Sequence, residues 1–147
     1  MKILIADDNP VFQNVLKSML QSWGYEVVLA SDGEEAWSIL EQRGGPRLAI
    51  LDWMMPGLDG VEVCRRVRDN FSINYVYVLI LTAKTQGEDL LVAMEAGADD
   101  YVIKPFKSQE LRARLRAGCR IIELEEHFHL VRRPEPIPIN RVPSLAS

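Results

Sequence analysis

The sequence predicts an α/β domain with an open, doubly wound parallel sheet. Short apolar, β-branched runs alternate with helix-period segments about five times along the chain. That alternation implies parallel strands joined by right-handed crossovers, with helices on both faces. The fourth run, Tyr75 to Leu81, is apolar almost throughout, as a strand covered on both faces should be. The chain has 147 residues, 48% hydrophobic and 26% charged, enough apolar material for one globular domain.

A first strand, Lys2 to Ala6, leads into Asp7-Asp8 and then Asn9-Pro10. Asn at the N-cap with Pro at the first helical position starts a helix. Its stripe of Val11, Phe12, Val15, Leu16, Met19, Leu20 and Trp23 recurs every three to four residues and stops at Gly24. A second strand, Tyr25 to Ala30, precedes Ser31-Asp32-Gly33-Glu34, a capping box opening a helix through Leu40. The third strand, Leu48 to Leu51, ends at Asp52, and a loop with Pro56 and Gly57 reaches Asp59-Gly60-Val61-Glu62. That is again capping-box spacing, for a helix through about Asp69. After the fourth strand, Thr85-Gln86-Gly87-Glu88 caps a helix ending near Gly97. The fifth strand, Tyr101 to Ile103, is followed by Lys104-Pro105, and Ser108 caps the final helix.

The final helix carries two stripes. Leu111, Leu115 and Ile122 would pack on the sheet. Ala117, Ile121, Leu124, Phe128 and Val131 follow 4-3-4-3 spacing and run past the body of the domain. This seam would be buried by a partner helix, a second copy or a following domain, unless the last turns fold back on their own domain. Pro134, Pro136, Pro138 and Pro143 then exclude helix and read as an extended linker or tail. The expected organisation is a domain over 1–122, a helical extension over 123–133 and a Pro-rich linker or tail over 134–147.

Charge is unevenly placed. Residues 1–100 hold 8 Lys/Arg and 16 Asp/Glu, whereas residues 101–147 hold 9 and 5. No run approaches the roughly 18 apolar residues of a membrane span. The apolar stretch at the N-terminus ends at Asp7-Asp8, too soon for a signal peptide. Cys64 and Cys119 form neither a metal-type pair nor a disulfide framework. A cytoplasmic protein without a membrane partner is expected.

In an open parallel sheet, ligands gather beyond the carboxyl ends of the strands. The polar residues there are Asp7-Asp8, Asp52, Thr82 and Lys104. Asn9 already serves as cap, so the two acids before it are free for another task. Three carboxylates brought together repel unless a cation compensates, and oxygen-only ligands favour Mg²⁺ over zinc or copper. Carboxylate, Mg²⁺, hydroxyl and ammonium together point to phosphoryl chemistry, with Asp52 as nucleophile forming an aspartyl phosphate.

These residues carry a family resemblance. Asp7-Asp8, Asp52-Trp53-Met54-Met55-Pro56-Gly57-Leu58-Asp59-Gly60, Leu81-Thr82-Ala83 and Lys104-Pro105-Phe106 resemble the motifs of the response regulator receiver domain of two-component systems, in order and spacing over residues 1–122. The resemblance implies a flavodoxin-like fold with strand order 2-1-3-4-5. It implies that Asp52 is phosphorylated by a sensor histidine kinase or a phosphotransfer protein. Mg²⁺ would be held by Asp7, Asp8, Asp52 and the Met54 carbonyl. Thr82 and Lys104 would contact the phosphoryl group, beside a Lys104–Pro105 bond that is usually cis. Tyr101 would be the switch aromatic that turns inward as Thr82 moves. Met54 and Lys84 match the positions that tune attack by water, and an apolar cover with a long cation implies slow self-dephosphorylation. The resemblance thus implies a signalling switch, not a turnover enzyme. Its readout face comprises the fourth helix, fifth strand and final helix, and it controls a homodimer or an output domain.

Rival readings are weaker. A haloacid-dehalogenase-type phosphatase needs a second Asp two residues after its nucleophile, where this chain has Met54. No phosphate loop or dinucleotide fingerprint occurs. His127-x-His129 lacks a third ligand. Arg112, Arg114, Arg116 and Arg120 are spaced like a solvated helix face, which argues against nucleic acid as the partner of this segment. A phosphorylation-independent interaction module is the remaining alternative, disfavoured because Asp52, Thr82 and Lys104 occur together.

Overall fold

The structure is a computed structural model that describes residues 1–83 and 87–132. Lys84, the cap assigned to Thr85 and the Pro-rich segment lie outside the described residues. Five strands, β1 (Lys2–Ala6), β2 (Glu26–Ala30), β3 (Leu48–Asp52), β4 (Tyr77–Thr82) and β5 (Asp100–Ile103), form one parallel sheet in the order β2-β1-β3-β4-β5. The helices are α1 (Pro10–Ser22), α2 (Gly33–Leu40), α3 (Gly60–Asp69), α4 (Gly87–Glu95) and α5 (Ser108–Arg132).

The sheet separates two cores. On one face Leu16 and Leu20 of α1 and Leu111, Leu115 and Ile122 of α5 pack on Ile3, Ile5, Ile50 and Leu79. On the other, α2, α3 and α4 contribute Ala36, Leu40, Val63, Cys64 and Ala93 against Leu4, Leu51, Val78 and Ile80. Alternate residues of each central strand therefore enter opposite cores, which is why these strands read as unbroken apolar runs.

Local chemistry sets the boundaries, with some departures from the pattern alone. Asn9 accepts from the Val11 and Phe12 amides, and Asp59 accepts from the Glu62 amide. The α2 cap is displaced by one residue: Asp32, not Ser31, is the N-cap and accepts from the Glu35 amide, while Glu35 reaches back to the Ser31 amide. β2 begins at Glu26 and β4 at Tyr77, each after a tyrosine that the apolar pattern had included. The Tyr75 hydroxyl is instead engaged by Asp99. In α1, Val11 and Val15 are exposed, and the polar Gln13 occupies the inner face beside Leu16 and Leu20. Gly97, at φ +101, ends the turn after α4 in a conformation that side chains rarely adopt.

Candidate functional site

The sheet order reverses between β1 and β3, the crevice where open α/β sheets bind ligands. Strand register sets its contents. Ala6 pairs with Leu51, Asp52 with Leu81 and Thr82 with Ile103. Asp7, Asp52, Thr82 and Lys104 consequently emerge at one edge.

Asp7 is buried and Asp8 exposed, yet one oxygen from each of Asp7, Asp8 and Asp52 lies within 4.8 Å of the others. Lys104 faces this group, its Nζ 3.3 Å from Asp7 Oδ2 and 3.5 Å from Asp52 Oδ1. The same ammonium stands over the Phe12 ring, 4.3 Å from its centroid. This contact and the two carboxylates aim a flexible side chain at one point. The Lys104–Pro105 bond is cis, as the motif implied.

Burial pushes the Asp52 carboxyl up to about 6, and the neighbouring Asp7 charge adds to the rise. The Lys104 ammonium and the Met54 amide oppose it. One ammonium is thus shared by two of the three carboxylates, Asp7 and Asp52, and the donor set is entirely oxygen. Such a site fits a small, hard divalent cation such as Mg²⁺. No other cluster of this kind occurs among the described residues.

Asp7 has a local task as well, contrary to expectation: its Oδ1 accepts the Asn9 amide at 2.8 Å, so the acid that faces Lys104 also shapes the β1–α1 turn. Thr82 is buried at the end of β4. Tyr101 is half-buried and packs against the core formed with α2, α3 and α4. The Met54 side chain is exposed, whereas Trp53 is buried in the core next to Asp52, and the Trp53 amide donates to Leu81 O at 2.9 Å. A Cβ on Gly60 would stand 2.4 Å from the Asp52 carbonyl oxygen, so only glycine lets α3 start this close to the end of β3.

Gln13 went unnoticed in the sequence. Its buried amide nitrogen donates to the carbonyls of Asp7 and Ala30, tying the ends of β1 and β2 beneath the acidic group. The available signal was a polar residue three before Leu16 and seven before Leu20. Spacing marks Phe12 as apolar packing, and in the fold its ring also meets the Lys104 ammonium.

Residues 3–116 match the family described as the response regulator receiver domain. The chain is 45% identical over 122 residues to a probable transcriptional regulator, ycf27, of Cyanophora paradoxa, covering 83% of this chain and 49% of that protein. It is 40% identical over 119 residues to the DNA-binding response regulator MtrA of Mycolicibacterium smegmatis, covering 81% and 50%. The chain thus spans about half the length of the curated relatives it matches. Among solved structures it resembles the receiver domain of a Pseudomonas aeruginosa sensor histidine kinase with magnesium coordinated in its active site cleft. That match has TM-score 0.71 and 36% identity over 83% of this chain and 97% of the other. A putative response regulator of Chloroflexus aurantiacus gives TM-score 0.74 and 36% identity over 80% and 95%. Motifs, strand order and relatives agree: the chain belongs to the response regulator receiver domain family of two-component signalling, whose standard role is a phosphorylation-driven switch.

Proposed function

We propose that Asp52 is the phosphoacceptor of this receiver and that Asp7, Asp8, Asp52 and the Met54 carbonyl hold Mg²⁺. The observation that carries this reading is the position of Lys104 Nζ, within 3.5 Å of both Asp7 and Asp52 beside three convergent carboxylates. An Asp52 oxygen attacks the phosphorus of a phosphohistidine on a sensor kinase or phosphotransfer protein. The P–N bond breaks as the new O–P bond forms, and the imidazole leaves with the electron pair. Mg²⁺, when bound, supplies positive charge against the phosphoryl oxygens. Lys104 contributes a second positive charge from the β5 side, and the Thr82 hydroxyl donates a hydrogen bond to the transferred group.

Phosphorylation then favours a form in which Thr82 and Tyr101 move inward, altering the face built by α4, β5 and α5. Met54 and Lys84 slow hydrolysis, and a phosphoryl half-life of seconds in Mg²⁺ would contradict that role. The receiver occupies 1–122, α5 relays its state through 123–133, and 134–147 serves as linker or tail, in the cytoplasm. No helix among the described residues is long and apolar enough to cross a membrane. The relay reaches a second copy or an output domain, and nucleic acid is not read by this segment. Random duplex DNA should show no affinity for it at moderate salt.

The test is incubation with Mg²⁺ and acetyl phosphate or beryllofluoride, followed by intact mass and Trp53 fluorescence. The wild type should gain the mass of one phosphoryl group from acetyl phosphate and change its fluorescence with either reagent. Asp52→Asn should do neither, and a variant behaving like wild type overturns the reading.

A further inference from the structure

We propose that the Pro-rich segment following α5 docks on its own chain, as a polyproline helix in a cleft at the amino edge of the sheet. The cleft lies between the α2–β3 loop (41–47) and the α3–β4 loop (70–76), at the end of the domain opposite Asp52, and has a volume of about 570 Å³. Leu40, Pro46 and Val76 give it a buried apolar floor, with the half-buried Ile73 beside them. Gln42 and Asn74 add side-chain amides to its walls. A smaller hollow of about 190 Å³ shares Ile73, Asn74 and Val76 with the cleft and extends it to Phe71. Phe71 is 95% exposed, more than any other large apolar side chain among the described residues. An apolar floor ending at an uncovered aromatic ring is a surface built to be covered.

The end of α5 names the occupant. Arg47, on the cleft wall, donates from Nε to the Tyr75 carbonyl and pairs with Glu126 of α5 at 3.2 Å. One side chain thus joins both loops to the last turns of the helix. Arg132 ends α5 six residues after Glu126, about 9 Å further along the axis. Residues 133–147, outside the described residues, follow it in sequence. At about 3.1 Å per residue, about three of them span that distance back, which brings Pro136 to Val142 over the cleft.

The segment has the pattern such a cleft needs. A polyproline helix repeats every three residues. Pro136, Ile139 and Val142 then share one apolar edge, Pro134, Ile137 and Asn140 a second, and Glu135, Pro138 and Arg141 the third. The first two edges suit an apolar floor and the third stays in water. Such a helix leaves its carbonyls without internal hydrogen bonds, and Gln42 and Asn74 are donors for them. The outward edge meets the rim at Glu41 and Arg43, opposite in sign to Arg141 and Glu135. Neither rim residue forms an ion pair among the described residues. Tethering supplies the remainder, because a segment a few residues from its site acts at about millimolar effective concentration.

This goes beyond the reading of 134–147 as a linker or tail and is independent of the phosphoacceptor. Asp52→Asn should leave docking unchanged, so either reading can fail alone. The experiment is hydrogen exchange by mass spectrometry on the full chain, wild type against Ile137→Asp/Ile139→Asp, whose changes lie outside the packed body. Amides of 41–47 and 70–76 should exchange about tenfold faster in the variant, the ratio of a millimolar effective concentration to a Kd of about 0.1 mM, while those of β1 and α1 stay unchanged. Disulfide trapping then locates the contact. In a Cys119→Ser background, Asn74→Cys with Val142→Cys should close to a bridged monomer under diamide, the two thiols being oxidised as the diazene is reduced. Gln21→Cys with Val142→Cys is the control, since Gln21 stands at the same end of the domain on α1, and it should stay largely reduced. Equal exchange in wild type and variant, or equal bridging from Asn74→Cys and Gln21→Cys, overturns the proposal. So does a covalent dimer in place of the bridged monomer, because the cleft would then take the segment of a second copy.

Discussion

Lys104 and Asp52 face each other across the carboxyl ends of β5 and β3, 3.5 Å apart, although 52 positions separate them in sequence. The β4 strand lies between them, so sheet order rather than chain proximity makes the pair. The same ammonium reaches the buried Asp7. Removing it leaves two carboxylates without their shared counter-charge.

Lys104→Met should therefore destabilise the chain by about 1–3 kcal/mol in chelator, with part of the loss recovered by saturating Mg²⁺. Calorimetric melting of wild type and variant with EDTA and with Mg²⁺ measures both terms. An equal loss in the two buffers would deny the metal a place beside these carboxylates.

The raised carboxyl of Asp52, at about 6, has a defined sign. Above that pH it is ionised in both folded and unfolded chains, and folding bears the full cost of the buried charge. As pH falls through about 6 the folded chain takes up the proton first, and stability grows until the unfolded carboxyl also protonates near 4. In metal-free buffer Asp52→Asn should be more stable than wild type at neutral pH by about 1–2 kcal/mol, a difference that shrinks by about pH 5. Urea titrations at the two pH values test this.

Gln13→Met keeps the volume but removes the donor to the Asp7 and Ala30 carbonyls. The expected cost is about 1–3 kcal/mol of stability. Because Asp7 loses its backbone anchor, Mg²⁺ affinity should also fall, read from Trp53 fluorescence at a temperature where the variant is fully folded. Unchanged affinity would make Gln13 a purely structural residue.

Arg68 is the hub on the opposite edge of the sheet. It donates to Gly97 O at 2.9 Å and Val76 O at 2.7 Å, and it pairs with Asp99 at 2.6 Å. Asp99 also accepts from Tyr75 and from the Val78 amide. Arg68→Met should cost about 3–5 kcal/mol by stranding Asp99, and Arg68→Met/Asp99→Asn should recover part of it. Additive losses would contradict the pairing.

Legibility tracked the range of the interaction. The Asn9 and Asp59 caps, the α5 core stripe and the four strand-end motifs depend on neighbours a few residues away, so spacing exposed them. The α2 cap slipped by one because Ser31 and Asp32 both offer an oxygen, and only the backbone angles choose. The β4 start was misplaced because Tyr75 is as apolar in pattern as a strand residue, while its hydroxyl bonds Asp99, 24 positions away. Gln13 was passed over since a glutamine on a helix is ordinarily solvent-facing.

Sequence by itself determined the alternating elements, the family motifs and the identity of the acids, hydroxyl and ammonium at the strand ends, because periodicity and capping are local properties of the chain. Tertiary structure decided which of these meet. It set Lys104 between Asp7 and Asp52, raised the Asp52 carboxyl by burial, placed Gln13 under Asp7 and left Ile121 and Leu124 of α5 exposed. Distance, dielectric and exposure belong to the packed sheet, and none exists until β1, β3, β4 and β5 stand side by side.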